Sequence, residues 1–454
     1  MTQIQSDFSG VVTEQPQPAA HGEGPVMTDD AYAKYLDGLG KHPLLQGDNV
    51  RLPDGAVSAM SKGLLLLGVL LVAGTLLIGS FAVNLGHALA AYKVGVFTAL
   101  ACCLGAWFLV MVLHATNSYW ATTIRRQLEH VMALTWLPTL MIAPIVIIEL
   151  AAGGVLMTWM LDSKAGSFLI EHKIGYLNDG FFLLRYLICA AIWVPITRQL
   201  ASFSAQQDIT GDRFLSAKMR RLSSIGLLLF TASVPFAAFD HLMSMDYRFF
   251  STMWGVYYFA GAIMSGVALS AIVLAALRFF GRLNGVVTKE HFHDHGKLLF
   301  AFMVFWAYIG FSQYFLIWYS NIPEETAFYV HREQGGWQYL WYTLIGLHFI
   351  APFPILISRH VKKSTVGLGV FGALLLLTQV LDMVWIIRPM VYLDTPWAEA
   401  RGEPGLFGIV LDIVAVTGVL ALFGGMLVNK IGAGPLIPMK DPRLGKALKH
   451  KNYV

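Results

Sequence analysis

The sequence predicts an all-α polytopic membrane protein with ten transmembrane helices. Of its 454 residues, 56% are hydrophobic and only 13% are charged, and the mean hydropathy is +0.59. This composition is too apolar and too weakly charged for a soluble domain. Long apolar runs recur between charged or turn residues, and each can cross a hydrocarbon core of about 30 Å. The three cysteines all fall inside apolar runs, which excludes a disulfide framework and a cysteine ligand set for haem or an iron–sulfur cluster.

The chain divides into two tails and a membrane domain. Residues 1–60 form a largely irregular N-terminal tail without the apolar core of a signal peptide. Within it, Thr28 can cap a short helix over residues 29–39, which we expect to lie on a partner. Residues 61–428 hold the ten-helix membrane domain, and residues 429–454 form a basic C-terminal tail.

Ten apolar runs give the predicted spans in chain order. They cover residues 63–83, 92–114, 134–157, 177–197, 222–242, 252–277, 298–319, 338–358, 366–387 and 406–428. The third run is the least regular because Pro138 and Pro144 fall inside it, although neighbouring helices can satisfy a kinked membrane backbone. Small residues recur at close-packing spacing in the sixth run, which favours tight packing of helices.

The distribution of basic residues predicts the orientation. Most Lys and Arg residues lie in the two tails and in the loops on the same side, including Arg125, Arg126 and the C-terminal tail. Because cytoplasmic loops carry the excess of basic residues, both termini are predicted to be cytoplasmic.

Ionisable side chains inside the predicted spans, or at their ends, are the sharpest functional signal. Each costs about 2.5–3.5 kcal/mol at the bilayer centre unless it faces protein or water. A proton relay requires such groups at several depths, because each step needs a group that gains and loses a proton. The alternative is structural pairing, for example of Glu149 or Asp382 with Arg185. The candidates are His114, Glu149, Arg185, Asp240, His241, Asp246, His348, Asp382 and Asp412.

Residues 233–261 bring four ionisable side chains to the outer end of the fifth span, where Pro235 can kink the helix. One interpretation is a proton exit or a docking site. The other is a loop ion pair between Asp246 and Arg248, with the hydroxyl of residue 251 or 252 capping the sixth span. The four side chains are those of Asp240, His241, Asp246 and Arg248.

The seventh span has charged residues at both mouths. On the inner side, the motif HFHDH at residues 291–295 is followed by Lys297. Its alternating histidines can bind a metal, but the favoured interpretation is that Asp294 caps the helix. On the outer side, Glu324 and Glu325 follow Pro323, as a solvated acidic loop or as a site for proton collection or docking. Haem b ligation needs facing histidines, and His114 and His348 form no obvious pair.

Two blocks carry a family resemblance. They are FDHLMSMDYRFFSTMWGVYYFAG at residues 239–261 and HDHGKLLFAFMVFWAYIGFSQYFLIWYSNIPEET at residues 293–326. They resemble the ActF-type subunit of bacterial alternative complex III, a member of the NrfD/PsrC-like polytopic membrane family. The ten-span layout agrees over the rest of the chain. The sequence departs from the pattern at His295, where an apolar residue is expected, and at Ser320, where alanine is usual.

The resemblance implies two four-helix bundles, spans 2–5 and 6–9, with spans 1 and 10 peripheral, in the bacterial inner membrane. It implies a complex that oxidises quinol and passes electrons to cytochrome c or an adjoining terminal oxidase. The implied partners are a sister NrfD-like subunit, an iron–sulfur protein, and multihaem and monohaem cytochromes c. Iron–sulfur clusters and haem c lie on those partners, whereas this chain holds no redox cofactor and contributes a proton pathway, a quinone contact or a scaffold.

Two functions of other classes compete with this one. An independent secondary transporter would be expected to have paired spans broken by Gly or Pro in corresponding halves, which the sequence does not show. A structural membrane anchor would use its acidic outer loops to hold a peripheral electron-transfer protein. We expect replacement of Asp240 or Asp382 by Asn to separate the anchor from a proton pathway.

Overall fold

The computed structural model describes residues 28–165, 168–333, 335–392 and 405–452, and the remaining part of the N-terminal tail lies outside these ranges. Within them the chain is all helical, with no strand, and ten helices are long and apolar enough to cross a membrane. The prediction of a multi-pass, ten-helix membrane protein is therefore confirmed. Spans 1 to 10 are, in order, Gly55–Ala82, Leu85–Ala115, Thr122–Ala152, Asp179–Thr210, Phe214–Met245, Trp254–Phe279, Lys289–Ser320, Trp337–Ile357, Thr365–Val391 and Gly408–Gly432.

Short helices and turns connect the spans. Because the described parts of both tails contact each other, we call their side of the molecule the tail side and the opposite side the far side. Helices Asp29–Gly40, Arg359–Lys363 and Leu444–Leu448 lie on the tail side, with the turns Pro43–Leu45 and Gly47–Asn49. Helices Thr158–Ala165, Phe168–Glu171 and Pro323–Val330 lie on the far side.

Several helices continue beyond their apolar runs on the tail side, and span 3 shows this most. It begins at Thr122 instead of residue 134, with one helix over Thr122–Met132 and a second over Trp136–Ala152. The second helix ends because Gly153 adopts the left-handed conformation at φ 72°. Residues 153–157 are therefore a turn, not the end of the span, although they are apolar.

Spans 2 and 6 form the centre of the molecule, and their backbones nearly touch. A Cβ atom added at Gly105 would lie 1.9 Å from the carbonyl oxygen of Ala262, and one at Gly266 would lie 2.5 Å from the amide nitrogen of Ala106. The small residues of span 6 thus allow the close packing that their spacing predicts. Spans 1 and 10 pack on each other and on span 2.

The N-terminal tail helix lies on its own chain. The Thr28 hydroxyl caps it by accepting from the amide of Ala31 at 3.4 Å, as predicted. The Tyr35 hydroxyl donates to the carbonyl of Pro442 at 3.1 Å and accepts from the amide of Gly445 at 2.9 Å. Both contacts join the helix to the C-terminal tail of its own chain.

Candidate functional site

Asp382 of span 9 is a buried carboxylate whose described partners are neutral donors. The Tyr257 hydroxyl of span 6 donates to its Oδ1 atom. Trp306 Nε1 of span 7 and Gln379 Nε2 each donate to its Oδ2 atom at 3.4 Å. The suggested pair with Arg185 is wrong, because Arg185 bonds to Asp240 instead. Asp382 thus has a hydrogen-bonding environment drawn from three spans.

His348 lies directly against this cluster. Its ring stacks on Trp306 with 3.7 Å between centroids and 4° between planes, and its Nε2 atom is 3.1 Å from the sulfur of Met264. Span 8 forms a π-helical turn over Ile345–Ile350 at this point, just before Pro352, which has no N–H to continue the helical ladder. The π-turn holds the imidazole inside the protein.

A cavity of about 450 Å³ lies beside the cluster, between spans 6, 7, 8 and 9. Its walls are predominantly aromatic, and Tyr257 and Trp306 belong both to the wall and to the Asp382 cluster. Tyr308, Phe311 and Ile350 on its outer wall are exposed by 63%, 67% and 60%. In a membrane this surface would meet lipid, so the cavity is accessible to a molecule dissolved in the bilayer.

Polar atoms line the far-side end of the cavity. Gln313 Nε2 donates to the Tyr329 hydroxyl at 3.1 Å, and the Ser251 hydroxyl donates to Gln313 Oε1 at 3.3 Å. Burial raises the pKa of Tyr329 to about 12, so its hydroxyl stays protonated at neutral pH. Ser251 was one of two predicted caps for span 6. That prediction is wrong, because the span starts after Met253 without a side-chain cap.

Arg332, which is not among the residues predicted from the sequence, bonds to backbone groups next to the far-side end of the cavity. Its guanidinium donates to the carbonyls of Trp385, Phe328 and Ile386 at 3.0, 2.8 and 2.8 Å, and its carbon lies 3.4 Å from the Phe328 ring centroid. Burial lowers the pKa of Arg332 to about 9. The side chain anchors the end of span 9, and a buried arginine in a connecting segment gives no sequence pattern of its own.

Glu149 of span 3 stabilises a turn of the backbone. Its carboxylate accepts from the amides of Val155, Leu156 and Met157, with shortest distances of 2.7, 3.0 and 3.3 Å. The suggested pair with Arg185 is wrong here too. Lys93 of span 2 is fully buried nearby, and among the described residues its Nζ atom has no hydrogen-bond partner.

The far-side ends of spans 4 and 5 are joined by an ion pair. Arg185 Nε donates to Asp240 Oδ2 at 2.7 Å, and the guanidinium lies 3.8 Å from the Tyr176 ring centroid. His241 packs on span 4 as well, with its ring centroid 5.3 Å from that of Phe182. Asp246 is buried and accepts from the backbone amide of Arg248 at 3.1 Å.

The tail side holds a network of buried charges in a segment whose sequence predicts a cytoplasmic loop. Arg125 Nε bonds to Glu129 Oε1 at 2.7 Å, and Arg125 also bonds to Asp441 Oδ2 at 2.8 Å. His114 Nε2 lies 3.9 Å from Glu129 Oε1. The four-residue spacing of Arg125 and Glu129 on one helix was the available signal.

The histidines at the inner mouth of span 7 do not converge. Thr288 and His291 form a capping box, so the prediction that Asp294 caps the helix is wrong. Asp294 instead bonds to Lys297 at 2.8 Å and to His450 at 2.6 Å. His295, the departure from the family pattern, bonds to the Ser270 hydroxyl at 2.8 Å. Within the described ranges no three His, Cys, Asp or Glu side chains group as a metal site.

Three candidates lie apart from the cavity cluster. Asp412 of span 10 pairs with Arg388 at 3.0 Å. Glu324 and Glu325 occupy the first turn of the helix Pro323–Val330 on the far side, where carboxylates favour a helix N-terminus. The structure thus brings Asp382 and His348 together with the aromatic cavity, and it distributes the other candidates among separate ion pairs and caps. No family model and no curated protein matches this chain.

Proposed function

We propose that this chain is an integral membrane subunit of a respiratory quinol:electron-acceptor oxidoreductase of the alternative complex III type. It works in the bacterial inner membrane with both termini in the cytoplasm, and it contributes a quinone contact and a proton pathway without a redox cofactor of its own. The observation that supports the proposal is the buried Asp382 cluster at the wall of an aromatic cavity that faces lipid.

The residues at the cavity fit a quinol head group. Aromatic walls suit a planar ring, and the Tyr257, Gln313 and Tyr329 side chains offer hydrogen bonds to its oxygens. When bound, a quinol supplies two protons and two electrons on oxidation. One of these protons can pass through Tyr257, whose oxygen accepts it from the quinol while its hydroxyl gives its own proton to Asp382, the carboxylate to which it already donates. The electrons go to iron–sulfur clusters and haem c on the proposed partner subunits.

The proposed architecture is two four-helix bundles, spans 2–5 and 6–9, with spans 1 and 10 peripheral. The packing of span 2 on spans 3 and 5, and of span 6 on spans 7 and 9, supports it, and the contact of span 2 with span 6 would join the two bundles. The proposed orientation rests on the basic residues of the tail side.

Mild-detergent purification from the native membrane tests the assembly. We expect cytochromes c, an iron–sulfur protein and a sister membrane subunit by mass spectrometry, together with a haem c spectrum. A solitary, colourless protein would overturn the proposed function.

Asp382→Asn in the assembled complex tests the site, with Asp179→Asn as the matched control. We expect Asp382→Asn to slow quinol oxidation by about 100-fold, the lower end of what a positioned proton acceptor contributes. Asp179→Asn should leave the rate near that of the wild type, because Asp179 is exposed in the first turn of span 4, away from the cavity. Unchanged turnover and proton release in an assembled Asp382→Asn complex would favour the structural anchor instead.

A further inference from the structure

A second cavity, separate from the Asp382 site, lies at the tail-side ends of spans 6 and 9. It has a volume of about 480 Å³. Its walls are apolar apart from Thr365 and the guanidinium-bearing Arg278. Gly369 forms part of the floor, where an added Cβ would lie 2.7 Å from that of Ala275, so the lack of a side chain there lets spans 6 and 9 pack closely beneath the groove.

The groove opens on the outer surface of the helix bundle, which would face lipid in a membrane. Phe279 and Phe280 on one wall are exposed by 84% and 69%, and Val366 and Val370 on the other by 72% and 59%. Phe279 is the last residue of span 6, so this wall lies at the tail-side end of the apolar core. Nothing in the described parts of the chain covers these side chains.

The length of the groove indicates what kind of molecule fits it. Its span 6 wall runs over residues 272–280, about 12 Å at 1.5 Å rise per residue. A partner transmembrane helix crosses the whole core of about 30 Å, so most of its length would lie outside this groove. A groove confined to one leaflet fits the acyl chain of a lipid.

The charges at the mouth indicate the head group. Arg278 lines the groove, and the basic helix Arg359–Lys363 immediately precedes its span 9 wall. Lys363 is paired with Glu290, whereas no acidic residue lines the groove among the residues described. The excess of positive charge is complementary to a lipid with net negative charge.

We propose that this groove binds an anionic phospholipid of the tail-side leaflet, with one acyl chain between spans 6 and 9 and the phosphate beside Arg278. The acyl chain lies in the groove above the point where Gly369 and Ala275 bring the two helices together. It also covers the exposed Phe279 and Val366.

Native mass spectrometry of the full-length chain, titrated with phosphatidylglycerol or with phosphatidylcholine of the same chain length, tests the proposal. The wild type should bind phosphatidylglycerol at least about fivefold more tightly, the factor expected for one basic residue near a membrane surface. Arg278→Gln should remove this preference, and Val366→Trp should weaken the binding of both lipids by filling the groove. Arg220→Gln, at an exposed position on the tail-side part of span 5, is the matched control.

Each outcome decides the proposal. Equal affinity of the wild type for the two lipids would overturn the assignment of an anionic head group. An equal loss with Arg278→Gln and Arg220→Gln would show general surface attraction, and lipid binding unchanged in Val366→Trp would place the lipid elsewhere. Because Val366 is exposed, its replacement leaves the helix packing intact, and the fluorescence melting temperature checks this for every variant.

Discussion

Replacing Asp441 with Asn removes a charge that is completely buried between two guanidinium groups. Its Oδ2 atom accepts hydrogen bonds from Arg125 and Arg443, both at 2.8 Å, and its Oδ1 atom accepts from Arg443 Nε at 2.9 Å. Arg125 is 1% exposed, so water cannot replace the lost carboxylate. Removing one partner of a buried pair costs about 3–5 kcal/mol. Because Arg125 keeps its bond to Glu129 at 2.7 Å, we expect a loss near the lower end, about 3 kcal/mol.

The pH dependence of this effect has a definite sign. Burial alone would raise the pKa of Asp441, but Arg125 and Arg443 outweigh it and hold the pKa well below the ordinary value of 3.8. The stabilisation by the carboxylate is therefore complete above about pH 5 and is lost as the pH falls below 4 toward the folded pKa. The difference between wild type and Asp441→Asn should be constant from pH 5 to pH 8.

Denaturant unfolding in mixed micelles, followed by tryptophan fluorescence, measures the free energy of unfolding of both proteins. Asp37→Asn is the matched control, because Asp37 pairs with Lys41 at 2.6 Å on the surface, with 64% and 74% of the side chains exposed. Such a pair contributes about 0.3–0.5 kcal/mol. A loss for Asp441→Asn as small as that for Asp37→Asn would refute the assignment of a buried charge network.

Gly105→Ala should lower the stability by about 1–3 kcal/mol, because its Cβ would overlap the carbonyl oxygen of Ala262. Gly74→Ala should leave the stability unchanged, because no atom lies within 4 Å of the added Cβ. Equal melting temperatures of the two variants would contradict the packing of spans 2 and 6. Glu149→Gln should lower the free energy of unfolding by about 1–3 kcal/mol, because a side-chain amide cannot accept hydrogen bonds from all three backbone N–H groups. The variant should also be cleaved faster by a protease at residues 153–157, and an unchanged cleavage rate would argue against this role. Arg332→Lys should lower the free energy of unfolding by a similar amount, because an ammonium group cannot reach all three carbonyls that the guanidinium contacts. The melting temperature of the variant measures this loss.

Hydropathy predicts the ten spans well because a membrane helix must present apolar residues to lipid over its whole length. It fails at helix ends buried in protein. Span 3 begins at Thr122, twelve residues before its apolar run, and the polar helix Thr122–Met132 is buried throughout. Its polar side chains contact the C-terminal tail, as Gln127 does with the carbonyl of Leu436 at 2.7 Å. A window of local hydropathy cannot detect partners more than 300 residues away.

Polar residues inside spans are equally visible in the sequence, but their partners are not. Arg185 bonds to Asp240 across 55 positions of sequence, and the suggested pairs with Glu149 and Asp382 were equally plausible before the helices were placed. The capping of span 7 was mispredicted for a local reason. Thr288 precedes Asp294 by six residues, and the helix begins in a polar segment where the apolar run gives no signal.

Structural and functional carboxylates in this chain differ in whether a cationic side chain contacts them. Asp240 and Asp441 each contact a guanidinium, so transfer of a proton to either would break an ion pair. Asp382 contacts only neutral donors within the described residues, and it can hold or release a proton without leaving a buried cation unpaired. Because the same Tyr257 and Trp306 side chains line a cavity open to lipid, a proton at Asp382 and a molecule in the cavity would be coupled directly.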